Sequence, residues 1–219
     1  MLNRLDDSES DVDLYNLYKI LLKELGPHDF WWPANSPFEV VIGSILTQQT
    51  KWENVEKAIS NLKQYELIEV SNLSNARVEL VKTLIRGTGF YRQKASRIIA
   101  IARHFKSDKK IFDMPIEALR NTLLSLNGIG FETADSIILY AANKPKFVID
   151  TYTMRIMKCI GIKENYSKLQ NRFENDLPIN VKIYKEFHAL IVEYAKQYCG
   201  KKRCKECLIM KNKRFSLIA

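Results

Sequence analysis

"LNGIGFETADSIILYAANKPKFVID", residues 126–150, sets two glycines in a tight turn between two helical patterns and ends on a lone aspartate. The first apolar pattern closes at Leu126. Gly128 and Gly130 permit the positive φ such a turn needs, and Phe131 opens the next helix. The backbone N–H groups of the turn and the start of that helix then aim at one spot. Asn127, Gly128, Ile129, Gly130 and Thr133 therefore make a candidate anion site of the kind that holds a phosphate. Asp150 follows twenty residues after Gly130, behind the strand-like "KFV".

The surrounding chain reads as helical almost throughout, predicting an all-α fold. Leu14, Leu17, Tyr18, Leu21, Leu22 and Leu25 form a 3.6-residue stripe that stops at Gly26-Pro27. "SPFE" at 36–39 is a capping box, with Ser36 as cap, Pro37 at the first helical position and Glu39 reaching back. Further helical patterns cover about 76–86, 92–105, 115–125, 131–142, 151–160, 167–175 and 179–198. Two-residue alternation is nearly absent, which argues against a sheet. "LIRGTGFYRQKASRII" at 84–99 repeats the layout of 126–138: Gly-x-Gly, an aromatic, a polar turn, then an apolar helix.

The 219 residues are 46% hydrophobic, enough to bury a sizeable core in one domain or two lobes. No apolar run reaches the roughly 18–20 residues of a membrane span. The acidic start "MLNRLDDSESDVD" lacks the layout of a signal peptide, so a soluble cytoplasmic monomer is expected, associated with the nucleoid if the source is bacterial or archaeal. The net charge is +9, and residues 1–13 carry five acids against one arginine, leaving +13 for the rest. That excess points to nucleic acid as the partner, because each phosphate contact gains from counterion release.

With these residues in place, the chain resembles the helix-hairpin-helix DNA glycosylases of the endonuclease III type. "LNGIG" is similar to the family's hairpin, and Asp150 in "VIDTYTMRI" stands where its catalytic aspartate stands. "ILTQQTKWENV" resembles the segment whose glutamine fills the gap left by an extruded base, which makes Gln48 the wedge. "GTGFYRQKA" also matches a family segment. The likeness runs from about residue 14 to 207. It implies two helical lobes with double-stranded DNA carrying a damaged base in the cleft between them. The lobes are residues 31–150, with the hairpin at about 115–142, and residues 1–30 together with 151–219.

Two departures from the family carry meaning. Members that also cut the sugar–phosphate chain place a lysine two residues after the hairpin's last glycine, and here Glu132 stands there. A carboxylate forms no imine, so lyase chemistry by that route is excluded. Lys94, Lys144 or Lys146 could replace it only with rearranged geometry. Glu132 itself is expected to do little beyond favouring the helix dipole. The second departure is in "CGKKRCKEC": Cys199, Cys204 and Cys207 supply three thiols, and Lys213 falls where a fourth would be. A [4Fe–4S] cluster wants four thiolates. The favoured reading is a degenerate cluster loop without cofactor, with a cluster completed by another ligand as the lesser reading. Cys159 is expected as a buried core residue.

Trp31, Trp32 and Trp52 flank Gln48. Each is a candidate core aromatic, yet "DFWWPANSP" is a loop and adjacent tryptophans do not easily face one core. An aromatic base pocket is the alternative. Such rings suit purines methylated at a ring nitrogen, which are cationic. With Glu132 they resemble the endonuclease III-like 3-methyladenine glycosylases. The resulting expectation is a monofunctional glycosylase for alkylated purines, with Asp150 as an ionised catalytic group. Asp150 precedes a helical pattern, so it is equally a candidate N-cap. The alternatives are an oxidised-pyrimidine or mismatch glycosylase and a non-enzymatic DNA-binding module. His28, His104 and His188 show no metal spacing and carry no assignment.

Overall fold

The computed structural model describes residues 12–28 and 32–211. Trp31 and the side chain of Cys204 lie outside the described residues. In chain order the helices are α1 (Leu14–Leu25), α2 (Pro37–Leu46), α3 (Trp52–Gln64), α4 (Val70–Asn75), α5 (Val78–Leu84) and α6 (Tyr91–Ser107). They continue as α7 (Ile116–Leu124), α8 (Phe131–Ser136), α9 (Thr151–Cys159), α10 (Tyr166–Asp176), α11 (Val181–Gln197) and α12 (Leu208–Lys211). No strand occurs among the described residues, and the fold is all-α.

Local chemistry sets many of the ends. Asp13 caps α1 by accepting from the Asn16 N–H at 2.9 Å, and Gly26 ends it at φ 76°. Ser36 caps α2, accepting from the Glu39 N–H at 3.2 Å. Glu39 reaches back one residue further than a capping box requires: its Oε2 accepts from the Asn35 N–H at 3.0 Å, while Oε1 pairs with Lys63 at 2.6 Å. Asn165 and Asn180 cap α10 and α11.

Other details depart from the sequence pattern. Gly128 takes φ 87°, but Gly130 sits at φ −97° as the extended cap of α8, so one glycine supplies the left-handed turn. The strand-like "KFV" pairs with no other strand. Phe147, Val148 and Ile149 run as buried, irregular chain. The pattern at 131–142 is α8 continued by a π-helical turn, Ile137–Ala141. The pattern at 76–86 is α5 followed by a 3₁₀ turn, Arg86–Thr88.

The chain forms two compact units, residues 32–148 (the middle unit) and residues 1–31 with 149–219 (the terminal unit). In the middle unit α2 is buried along its whole length from Phe38, which explains its unbroken apolar run, and packs on α6 and the π turn. The hairpin joins α7 to α8, and a bidentate ion pair ties the two helices: Arg120 Nε and Nη2 meet Asp135 Oδ1 and Oδ2 at 2.7 and 3.0 Å. In the terminal unit α11 packs on α1 and α9. Phe187 packs there at a tilt against Tyr18 and Phe173, each pair of ring centroids 5.5 Å apart. Among the described residues no helix is long and apolar enough to cross a membrane.

Candidate active site

Asp150 is the N-cap of α9. Its Oδ1 accepts from both the backbone N–H and the hydroxyl of Thr153, at 2.7 and 2.8 Å. Oδ2 faces His188 of α11, 3.7 Å from Nε2, a distance at which the contact is electrostatic rather than hydrogen-bonded. The side chain retains 12% exposure and His188 4%. Burial alone pushes the carboxyl up. His188 and then Thr153 outweigh it and hold Asp150 below the usual carboxylate range. The capping and catalytic readings are therefore compatible: Oδ1 is committed to the helix, and the carboxylate keeps its charge with Oδ2 turned to His188. No local pattern in the sequence marks His188, because its value depends on α11 packing against α9.

In the middle unit the hairpin and the segment after α2 meet through Gln48. Its Nε2 donates to the Gly128 carbonyl at 2.9 Å and to the Thr133 hydroxyl at 3.1 Å. Arg97 Nη1 approaches its Oε1 at 3.4 Å. A Cβ at Gly128 would come within 2.3 Å of Arg97 Nε, so glycine there is needed both for its φ and for Arg97 lying across it. Asn127 and Gly130 are exposed, whereas Ile129 and Thr133 are buried. Gln49, beside Gln48, sits at φ 53°, costly for a non-glycine residue. Phe90 repeats this at φ 44° in the first Gly-x-Gly turn and is 62% exposed. No local pattern in the sequence marks Arg97 or Phe90 as a site residue.

Lys94 is buried behind the same segment. Its Nζ shares its three N–H donors among four oxygens, the carbonyls of Leu46, Gln48 and Thr88 at 2.8 Å each and the Thr50 hydroxyl at 2.7 Å. Burial, then repulsion by Arg97, lowers its amine to about 8. Thr50 also bonds the Thr88 carbonyl, so the Gln48 segment and the first Gly-x-Gly turn share one buried node.

Trp32 and Trp52 come together edge to face, centroids 5.8 Å apart, with Tyr140 5.2 Å from Trp32. All three rings pack against the middle unit's core, and Trp32 and Trp52 border a recess of about 290 Å³ that also carries Glu39 and Glu56. Glu132 is exposed on the first turn of α8.

Near the C-terminus the Cys207 thiol is buried 3.3 Å from the Tyr194 hydroxyl. That hydroxyl also accepts from the N–H groups of Leu208 and Ile209 at 2.8 and 3.3 Å. Cys199 is half-buried, and Cys159 is exposed at the end of α9, which corrects its expected place in the core. Three thiols at 199, 204 and 207 leave a four-thiolate cluster one ligand short, so these residues do not fit it.

A model of the HhH-GPD superfamily base excision DNA repair protein matches residues 42–178. The chain is 44% identical over 211 residues to the Methanocaldococcus jannaschii protein named "Putative DNA repair glycosylase MJ1434", covering 90% of this chain and 93% of that one. Endonuclease III of Thermotoga maritima is 32% identical over 186 residues, 79% of this chain and 80% of its own. Among solved structures, the H. pylori 3-methyladenine DNA glycosylase MagIII, bound to 1,N6-ethenoadenine, aligns with a TM-score of 0.75 at 31% identity. That alignment covers 84% of this chain and 98% of MagIII. The chain therefore belongs to the HhH-GPD superfamily of base excision DNA repair proteins, as a glycosylase of the endonuclease III type.

Proposed function

We propose that this chain is a monofunctional DNA glycosylase that hydrolyses the N-glycosidic bond of alkylated purines such as 3-methyladenine, acting on a nucleotide flipped out of duplex DNA. The observation that carries the reading is the Asp150 carboxylate, capped into α9 through one oxygen and held ionised by its surroundings. A ring-methylated purine is already cationic, so it leaves with the bonding electron pair and needs no strong acid. The sugar is left as an oxocarbenium-like cation. Asp150 stabilises that cation and accepts a proton from the water that attacks C1′. At an effective dielectric of about 20, a carboxylate about 4 Å from such a charge contributes about 4 kcal/mol, on the order of 10³-fold in rate.

The remaining parts have supporting roles. Asn127, Gly128, Ile129, Gly130 and Thr133 form the hairpin's phosphate contact, and Gln48 occupies the hole left by the extruded base. Trp32 and Trp52, together with Trp31, offer aromatic faces to a cationic base. Glu56 beside them favours positive charge, whereas Glu39 is already paired with Lys63.

The monofunctional reading rests on Glu132 and Lys94. Glu132 has no amine to form a Schiff base, and Lys94 is committed to four acceptors. The likeness to MagIII supports the alkylpurine substrate. The test is a panel of methylated, thymine-glycol and mismatched duplexes. Free 3-methyladenine is expected from the first alone, and release from only the other two would overturn the substrate assignment.

A further inference from the structure

The first Gly-x-Gly turn is not used by this reading, although it repeats the hairpin's layout. The residues that flank it, Arg86 and Tyr91, line a recess of about 470 Å³, which shares Lys82 and Arg92 with a second of about 700 Å³. The smaller holds Arg86 beside the turn. The larger runs past Ser96 and Arg97 and ends at Leu126 and Asn127 of the hairpin. Glu79, in the smaller recess, is the sole acid among the described residues that line the two, and it pairs with Lys82 at 2.7 Å. A Cβ on Gly87 or Gly89 would meet nothing within 4 Å, so the turn's backbone is open to a close approach.

We propose that this groove along α6, from Arg86 to Asn127, is a track for the phosphates of duplex DNA flanking the damaged nucleotide. The inference rests on the glycosylase reading and extends its DNA footprint. Two observations select a DNA backbone over a small anion: the cations Lys82, Arg86, Arg92 and Arg97 are distributed over two recesses rather than gathered at one point, and the larger recess reaches the hairpin at Leu126 and Asn127. Arg92 and Arg97 lie about 7.5 Å apart along the helix axis. One DNA strand carries about two phosphates over that length.

The test is the salt dependence of binding to a duplex containing a tetrahydrofuran abasic site, for wild type, Arg86→Gln, Arg92→Gln and the double variant. Each variant is expected to weaken binding irrespective of sequence and to lower the slope of log K against log salt by about 0.9 per lost contact. Lys57→Gln, at an exposed cation on α3 that lines neither recess, should leave the slope unchanged. Slopes for the groove variants equal to those of wild type and Lys57→Gln would overturn the track while leaving the glycosylase reading intact. Wild-type protein that binds no duplex and frees no base would overturn the glycosylase reading itself.

Discussion

Asp150 and His188 face one another across α9 and α11, Oδ2 to Nε2 at 3.7 Å, while the second carboxylate oxygen is occupied twice by Thr153. This division of one side chain between capping and charge separates structure from chemistry at a single position. Asparagine caps a helix about as well as aspartate, so Asp150→Asn should keep the cap and lose only the stabilisation that the ionised carboxylate adds at neutral pH. Its single-turnover base release should fall on the order of 10³-fold. Asp150→Ala should show the same loss of activity together with about 1 kcal/mol of lost stability. Full activity in Asp150→Asn would sink the mechanism.

The depressed Asp150 carboxyl also sets a pH dependence. Its folded value lies below its unfolded value, so its stabilisation is complete above the ordinary carboxylate range of about 4 and is lost as pH falls through the folded value. Base release should therefore persist into acid beyond that range. His188→Gln removes the facing imidazole and should move the acid limb of the pH–rate profile upward. A limb that stays put in that variant would show that His188 does not tune Asp150.

Gln48→Ala deletes the bonds to Gly128 and Thr133. Excision from a fully paired duplex should fall by about tenfold or more, since a few kcal/mol of unstacking is no longer offset. The loss should be smaller when the damaged base is mispaired. Equal losses on both substrates, measured side by side, would remove Gln48 from the flipping step.

Wild-type protein should leave abasic DNA uncut without added base and should give no borohydride-trapped adduct. Glu132→Lys puts an amine on the first turn of α8 and should yield a trappable adduct. A wild-type adduct would contradict the monofunctional reading.

The Arg120–Asp135 pair staples α7 to α8 with Asp135 fully buried. Arg120→Ala should cost about 3–5 kcal/mol in urea unfolding, because it takes the guanidinium away from a fully buried carboxylate. A loss below about 1 kcal/mol would mean the hairpin is held by packing alone.

Helical class, the caps at Ser36 and Asp150 and the turn at Gly128 follow from neighbours a few residues apart, and all were legible in the sequence. The resemblance of "LNGIG" and "VIDTYTMRI" to a known family supplied the rest of the site's outline. Tertiary packing decided what local pattern cannot encode. Helices α4 and α12 are too short to display a stripe, and Cys159 turns outward because the buried face of α9 lies elsewhere. Lys94 finds its oxygens up to 48 residues away, and Gln48 reaches the hairpin 80 and 85 residues on. His188 acquires meaning only when α11 lies against α9. Side-chain charge and hydrogen bonding act through space over a few ångströms, so residues far apart in sequence become partners only once the core has brought their helices together.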